Sequence, residues 1–202
     1  MATIVGIATL TLAALSCNKV PSQDAQGTLS WNFSSKMLTR AAVDLPDTDA
    51  FILTVKNSAG EVLYEGAYGD SPESMLVNPG NYTVKAVSVK FDKPEFSAPQ
   101  FGDEQVVVVK AGSGTNVRLN CTQLNSGLRM RLGSDFINAY PSGTVTVSST
   151  DGKLVYGKSE NRIGYFKAGN VSVELNDGTS SKTILTRFLE PCEILTLGIS
   201  CP

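Results

Sequence analysis

Three phenylalanines in one loop are the residues best spaced to bind a ligand. Phe91, Phe96 and Phe101 stand five residues apart in the segment FDKPEFSAPQFGDE, which spans residues 91–104 and also carries acidic residues and two prolines. Aromatic rings on an exposed loop can stack on sugar rings or dock a protein partner. The same rings can also fold back and cap a hydrophobic core. The sequence favours core packing and leaves ligand or partner binding as the alternative.

Acidic residues offer a second candidate chemistry. Asp44, Asp47 and Asp49 fall within VDLPDTDAF, close enough together to share a calcium ion. The segment lacks the glycine and the distal bidentate glutamate of an EF-hand loop. We therefore expect solvated loop charges and no metal site. No pair of acids stands out as the two carboxylates that a glycosidase needs.

Histidine is absent from the whole chain. The commonest general base near neutral pH and a leading zinc ligand are therefore missing, which excludes Ser-His and Cys-His nucleophile schemes. The net charge is −2, from 17 basic and 19 acidic residues spread along the sequence, so no basic stripe offers a surface for nucleic acid. We predict a protein that is not an enzyme, has no catalytic residue and no cofactor, and does not bind nucleic acid.

The amino terminus predicts export and a lipid anchor. Residues Ala2–Ser16 carry no charge and are mostly apolar, which suits a signal peptide but falls short of the ~20 residues of a membrane span. The segment ALSC that ends this run resembles a bacterial lipobox, whose cysteine thiol receives a diacylglycerol. We expect residues 1–16 to be a signal peptide, Cys17 to be lipidated, and residues 17–26 to tether the protein to the cell envelope, at the outer membrane or cell surface. An ordinary cleaved signal is the alternative.

Three further cysteines are present, Cys121, Cys192 and Cys201. Their odd number allows at most one disulfide among them. Small buried thiols are the favoured interpretation, and Cys192 with Cys201 is the best pair if a bridge forms.

The chain repeats itself at a spacing of 80 to 92 residues. Three pairs of segments align in the same order: TVKNSAGEVLY at 54–64 with TVSSTDGKLVY at 146–156, PGNYTVKAV at 79–87 with AGNVSVELN at 168–176, and VRLNC at 117–121 with LGISC at 197–201. The simplest cause is one supersecondary unit written twice, the second with shorter loops.

Both repeats show β-strand patterns. Leu29, Trp31 and Phe33 alternate with polar residues, and LRMRL at 128–132 sends its two arginines to solvent. Gly60 is expected to take a positive φ in a hairpin turn. Strands are predicted at about 27–35, 51–56, 61–65, 81–89, 105–110 and 115–121, then at 128–132, 143–149, 153–157, 162–167, 170–176, 181–188 and 193–200.

These patterns predict an all-β fold of two tandem antiparallel β-sandwich domains, at residues 27–122 and 123–202. At most a single helical turn is expected, at residues 134–139.

The order of segments from ALSC through SWNFSSKMLTRAAVD, AFILTVKNSAGEVLYEGAY and PESMLVNPGNYTVKAVSV to FSAPQFGDEQVVVVKAGSGTNVRLNC resembles a family of lipoproteins of unknown function from gut Bacteroidales, whose members look like fimbrillins. The resemblance covers about residues 20–190. It implies transthyretin-like or immunoglobulin-like sandwiches, outer-membrane anchoring, and a role in cell-surface adhesion or pilus structure.

Arg40 acquires a candidate role from this resemblance alone. In related fimbrillins a trypsin-like protease cuts after an arginine beyond the first strand, and a strand from a neighbouring subunit fills the groove; Arg40 lies where such a cut is expected. The last predicted strand reaches Cys201 with only Pro202 after it, which favours an anchor, tip or accessory subunit over a shaft subunit. Expected partners are the membrane, other fimbrial subunits, and host or bacterial surface proteins or glycans. A surface glycan-binding lipoprotein without catalytic activity is the alternative.

Overall fold

The computed structural model describes residues 26–34 and 46–201. Within them the first repeat forms strands β1 Gly27–Phe33, β2 Ile52–Asn57, β3 Val62–Ala67, β4 Ser74–Val77, β5 Gly80–Val87, β6 Glu95–Phe96, β7 Phe101–Val109, β8 Gly114–Leu119 and β9 Thr122–Gln123. The second repeat forms β10 Asn125–Leu132, β11 Thr144–Ser149, β12 Gly152–Tyr156, β13 Gly164–Lys167, β14 Gly169–Asn176, β15 Ser181–Leu189 and β16 Ile194–Ile199. Helical structure comprises the 3-10 turns Thr48–Ala50 and Tyr68–Asp70 and the six-residue helix α1 Ser134–Ala139.

The strands build two sandwiches, each around its own core. In the first, a sheet of order β4-β1-β8 faces a sheet of order β3-β2-β5-β7-β9. Alternation along β2 turns Leu53 and Val55 inward, where both are fully buried. They pack with Leu29 and Trp31 of β1, so the two sheets share one hydrophobic interior.

The second sandwich repeats this plan. The sheet β16-β10-β13-β6 faces the sheet β12-β11-β14-β15. Leu128 and Met130 of β10 are buried against Val145 and Val147 of β11. The positions of β10, β13 and β16 therefore correspond to those of β1, β4 and β8, as the sequence repeat requires.

One strand pair in each sandwich is parallel. β1 runs parallel to β8 from Thr28 to Phe33, and β10 runs parallel to β16 from Gly127 to Leu132. The other paired strands are antiparallel. The all-β sandwich fold is confirmed, and each sandwich adds one parallel pair to its antiparallel strands, because its first strand and its last long strand lie side by side in the same direction.

Most predicted strands lie within a few residues of the observed ones. Gly60 adopts φ +82° in the β2–β3 turn, as expected. The strand β4 is not among the predicted strands, and the two-residue strands β6 and β9 are too short to leave a periodic pattern.

Cys17, Arg40 and Asp44 lie outside the described residues. No helix in the described part of the chain is both long and apolar enough to cross a membrane.

Candidate functional site

The rings of residues 91–104 pack against protein, which is the interpretation that the sequence favours over a ligand or partner surface. Phe91 is 8% exposed and Phe101 is fully buried in the first core. Phe96 is partly buried and contacts the core of the second sandwich. The three rings therefore cannot form a shared exposed platform. They are the residues on which the hypothesis of glycan stacking rested, so that hypothesis has no support from this loop.

This loop, residues 91–104, joins the two sandwiches through strand β6. We call the loop the clasp loop and β6 the clasp strand. Strand β6 belongs to the first repeat but pairs with β13 of the second, with Phe96 opposite Gly164 and Glu95 opposite Tyr165. The N–H of the next residue, Ser97, donates to the carbonyl of Ile163 at 2.8 Å. A strand contributed to the neighbouring sheet fixes position and direction through its backbone bonds.

The Phe96 ring sits between an aromatic ring and a cation. Its plane is nearly perpendicular to that of Tyr156, with the centroids 5.0 Å apart. The Arg162 guanidinium lies 4.8 Å from the Phe96 centroid, a cation–π geometry. Glu160 holds that guanidinium through bonds of 3.0 Å to Nε and 2.6 Å to a terminal nitrogen, and these bonds lower the pKa of Glu160.

Tyr156 lies at the end of the β10–β13 ladder where Leu128 pairs with Gly164. Its hydroxyl donates to the Leu128 carbonyl at 2.8 Å, and the whole side chain is buried. Burial raises the pKa of Tyr156 above its ordinary value. A Cβ at Gly164 would overlap this hydroxyl, so glycine is required where β13 begins.

A buried polar linker joins the two sandwiches. Gln123, Asn125 and Ser126 are each no more than 1% exposed. The Asn125 amide accepts from the Gln100 N–H at 3.0 Å and donates to the Ala98 carbonyl at 2.9 Å. Since a buried polar side chain needs its partners, the linker is held in one arrangement against the clasp loop.

Ser126 and Cys192 extend this network to the carboxyl-terminal strands. The Ser126 hydroxyl donates to the Glu190 carbonyl at 2.7 Å, and the Cys192 thiol donates to the Gln123 carbonyl at 2.8 Å. The described cysteines are all free thiols: Cys121 is buried, while Cys192 and Cys201 are partly exposed. The Cys192–Cys201 bridge is therefore not formed.

Asp47, one of the three candidate calcium ligands, has a local structural role. The Asp47 carboxylate accepts from the Asp49 N–H at 3.1 Å and caps the turn Thr48–Ala50. Within the described residues, no group of three or more acids or cysteines is arranged to hold a metal ion.

A basic cleft of about 440 Å³ opens on the second sandwich beside the end of β10. Its lining includes three cations, Arg129, Arg131 and Lys158, and the Glu160 carboxylate already bound to Arg162. None of the three cations forms an ion pair with a described residue. Arg129 Nε is also buried without a hydrogen-bond partner among the described residues. We call this feature the basic cleft.

An acidic cleft of about 310 Å³ occupies the corresponding place on the first sandwich. It lies beside Trp31 of β1 and carries the exposed acids Asp49 and Glu73. The Trp31 indole donates to Ser71 Oγ at 3.1 Å along its wall. Trp31 of β1 pairs with Val117 of β8, and Met130 of β10 pairs with Leu197 of β16. Trp31 and Met130 therefore hold equivalent positions in the two repeats, and the clefts beside them carry opposite charge.

Sequence reasoning placed both β10 arginines simply in solvent. Arg131 is exposed, whereas Arg129 is only partly so. The signal that could have identified the cleft is the pair of arginines two residues apart on a strand, followed by Lys158 at the equivalent of the β3–β4 connection.

Comparison with solved structures gives similar folds at low sequence identity. The fimbrial anchor protein Mfa2 from Porphyromonas gingivalis matches with a TM-score of 0.51 and 13% identity, over 82% of this chain and 83% of that chain. A candidate polysaccharide-binding protein from Bacteroides thetaiotaomicron matches with a TM-score of 0.46 and 11% identity, over 80% and 79%. A candidate cell adhesion protein from the same species matches at 0.41 and 13%, over 86% and 92%.

The sequence has no match among curated proteins. It does match a family model over most of its length, from residue 25 to residue 199, and the model is described as a domain of unknown function (DUF4493). The resemblance to a family of unknown function with fimbrillin-like folds is thereby confirmed, and the chain belongs to the DUF4493 family.

Proposed function

We propose that this protein is a structural or adhesive component of the bacterial cell surface, of the fimbrial-anchor or accessory kind, and that it acts by binding and assembly without catalysis. The observation that carries the proposal is the fold it shares with the fimbrial anchor Mfa2, which extends over 82% of this chain and both sandwiches. The absence of histidine from the sequence agrees with a role outside acid–base catalysis.

Rigid coupling between the sandwiches supports a structural role. The clasp strand β6 and the buried linker residue Asn125 tie the two units through backbone and side-chain bonds. A component that holds other proteins at a surface has to keep its contact faces in a fixed relation. Two sandwiches joined by a flexible linker would not do so.

The proposed anchor is the lipid on Cys17, with residues 17–26 as its tether. The proposed processing site is Arg40, which follows β1 in the chain. β1 lies between β4 and β8 and buries Leu29 and Trp31. Its removal would leave two strand edges and a groove in the first core, which a strand from another subunit could fill.

Anchoring is tested by expressing the full chain in a bacterium that processes lipoproteins. We expect the wild-type protein to incorporate labelled palmitate, to fractionate with membranes, and to be digested by protease added to intact cells. Cys17→Ala should lose the label and the membrane association, while Cys201→Ala, the matched cysteine control, should keep both. A Cys17→Ala protein that still fractionates with membranes, or a wild-type protein protected in intact cells, would contradict the proposal.

Assembly is tested by limited trypsin treatment of the purified chain, followed by intact mass and size-exclusion chromatography. Cleavage after Arg40 with loss of the first strand and a shift to oligomers supports a fimbrial assembly subunit. A monomer that is resistant, or clipped but unchanged in size, would contradict strand exchange.

A further inference from the structure

We propose that the basic cleft binds a short extended polypeptide segment that carries carboxylate side chains at alternating positions. The segment would add to the free edge of β10 as a short strand. This inference goes beyond the proposed surface role and does not depend on lipid anchoring or on processing at Arg40.

The first argument is the free backbone edge of β10. The N–H of Gly127 donates to the Glu193 carbonyl and that of Gly133 to the Ile199 carbonyl, both toward β16. Backbone groups alternate in direction along a strand, so those of Met130 and Leu132 point to the opposite edge. In the described part of the chain β13 pairs only as far as Leu128. The groups of Met130 and Leu132 therefore face the basic cleft without a strand partner.

The second argument is uncompensated positive charge. Arg129, Arg131 and Lys158 line the cleft and have no carboxylate partner among the described residues. The cleft's own acid, Glu160, is committed to Arg162. Arg129 Nε is buried with an unused hydrogen, and such a donor requires an acceptor that the described residues do not supply.

The spacing of the arginines specifies the pattern of the ligand. Arg129 and Arg131 lie two residues apart on one strand, so they project from the same face about 7 Å apart. A paired strand presents its own alternate side chains opposite them, and opposite charges at such positions attract. The unpaired backbone groups of Met130 and Leu132 are also two residues apart. They favour a polypeptide over an acidic glycan, because only a polypeptide offers amide donors and carbonyl acceptors at the spacing of a β-strand.

One of the edge strands of this sandwich, β15, is guarded against such pairing. β15 carries a bulge opposite Val173 and Glu174, and its Arg187, opposite the buried Val171, is held by Glu193. Bulges and inward-directed charges are devices that prevent strand addition. The free part of β10 has neither, and its cations instead line the cleft.

Binding is tested with a fluorescein-labelled peptide of sequence TETETV, using fluorescence anisotropy with the full chain. Peptides with glutamine in place of glutamate, and peptides N-methylated at either of the two alternating sets of amides, separate charge from backbone pairing. We expect the parent peptide to bind and to weaken as salt rises. We expect the glutamine peptide to fail, and only one of the two methylated peptides to lose binding.

Single-residue variants locate the site. Arg131→Gln and Lys158→Gln should each weaken binding about tenfold, the usual effect of one charge-assisted hydrogen bond. Arg118→Gln removes an exposed arginine from the first sandwich and should leave affinity unchanged. Arg131 and Lys158 are both exposed, so their substitution should not affect folding. Equal thermal unfolding temperatures of the variants and the wild type check this.

The proposal is overturned if the parent peptide does not bind at ~1 mM, a concentration at which even weak specific binding is detected. It is also overturned if the Arg131→Gln and Arg118→Gln variants bind the parent peptide equally well. It is also overturned if both methylated peptides bind like the parent. An oligogalacturonate that binds with the same dependence on Arg131, while the peptide does not, would assign the cleft to an acidic glycan instead. None of these results alters the palmitate and fractionation tests, so failure here and failure of the surface role are distinguishable.

Discussion

Replacing Phe96 with alanine should destabilise the second sandwich, although Phe96 belongs to the sequence of the first. Burying a phenylalanine side chain in a core is worth ~3–5 kcal/mol against alanine, and an aromatic pair adds about 1 kcal/mol. Phe96 is only partly buried, but its ring lies nearly perpendicular to the Tyr156 ring with the two centroids 5.0 Å apart. We therefore expect the free energy of unfolding of the second sandwich to fall by about 3 kcal/mol.

The chain carries its own probe for this experiment. Trp31 is the single tryptophan, and it lies in the first core at 5% exposure. Its fluorescence reports the unfolding of the first sandwich, whereas far-UV circular dichroism reports both. The wild-type transitions in urea should coincide, because the clasp couples the units. In Phe96→Ala the circular dichroism change should begin at lower urea than the fluorescence change.

Phe188→Ala is the matched control. Phe188 is 52% exposed on β15 of the same sandwich, so its loss should change stability by no more than ~0.5 kcal/mol. If Phe96→Ala is no less stable than Phe188→Ala, or if its two transitions still coincide, then the coupling does not pass through the Phe96 ring.

Three further changes test other contacts. Gly164→Ala should cost ~1–3 kcal/mol through overlap with the Tyr156 hydroxyl, and Tyr156→Phe should recover part of that loss in the double variant, as measured by a urea double-mutant cycle. Asn125→Ala should cost ~1–3 kcal/mol because it leaves two partly buried backbone groups unpaired, and a stability equal to the wild type would contradict the linker's proposed rigidity. Burial, and secondarily Asp103, raises the pKa of Cys121 to about 12. The thiol of the unfolded chain ionises near pH 8.5, which favours the unfolded state above that pH. The stability advantage of wild type over Cys121→Ala should therefore hold below about pH 8.5 and decline by up to ~1.4 kcal/mol per pH unit toward pH 12. Urea unfolding at pH 8, 9.5 and 11 measures this advantage, and a constant value would refute the prediction.

The fold was accessible from the sequence where a pattern is local. Alternation predicts β2 and β5 because each buries one face, and it places Leu53 and Val84 in the core, where both are fully buried. The repeat predicts that β10 copies β1. Gly60 is predictable because a hairpin turn of this kind requires a positive φ.

The site was less accessible because its contacts are long-range. Nothing near Phe96 in the sequence indicates that Tyr156 will be its neighbour, and a two-residue strand such as β6 has no period to detect. The basic cleft depends on the pairing of β10 with β13 stopping at Leu128, opposite the first residue of β13, which is a property of the folded sheet. Arg129 looks like an ordinary solvent-facing residue until that edge is known.

The parallel pairing of the first and last strands has a mechanical consequence. In each sandwich the amino end of the first strand and the carboxyl end of the last long strand lie at opposite ends of the same pair, β1 with β8 and β10 with β16. Tension applied through the chain therefore pulls the two strands past each other along their length. Because the ladder bonds run across the strands, the six residues paired in each case must yield together rather than open one after another. Each sandwich is thus arranged to resist stretching in shear, which is how the proposed surface role would load it when a cell is pulled by flow.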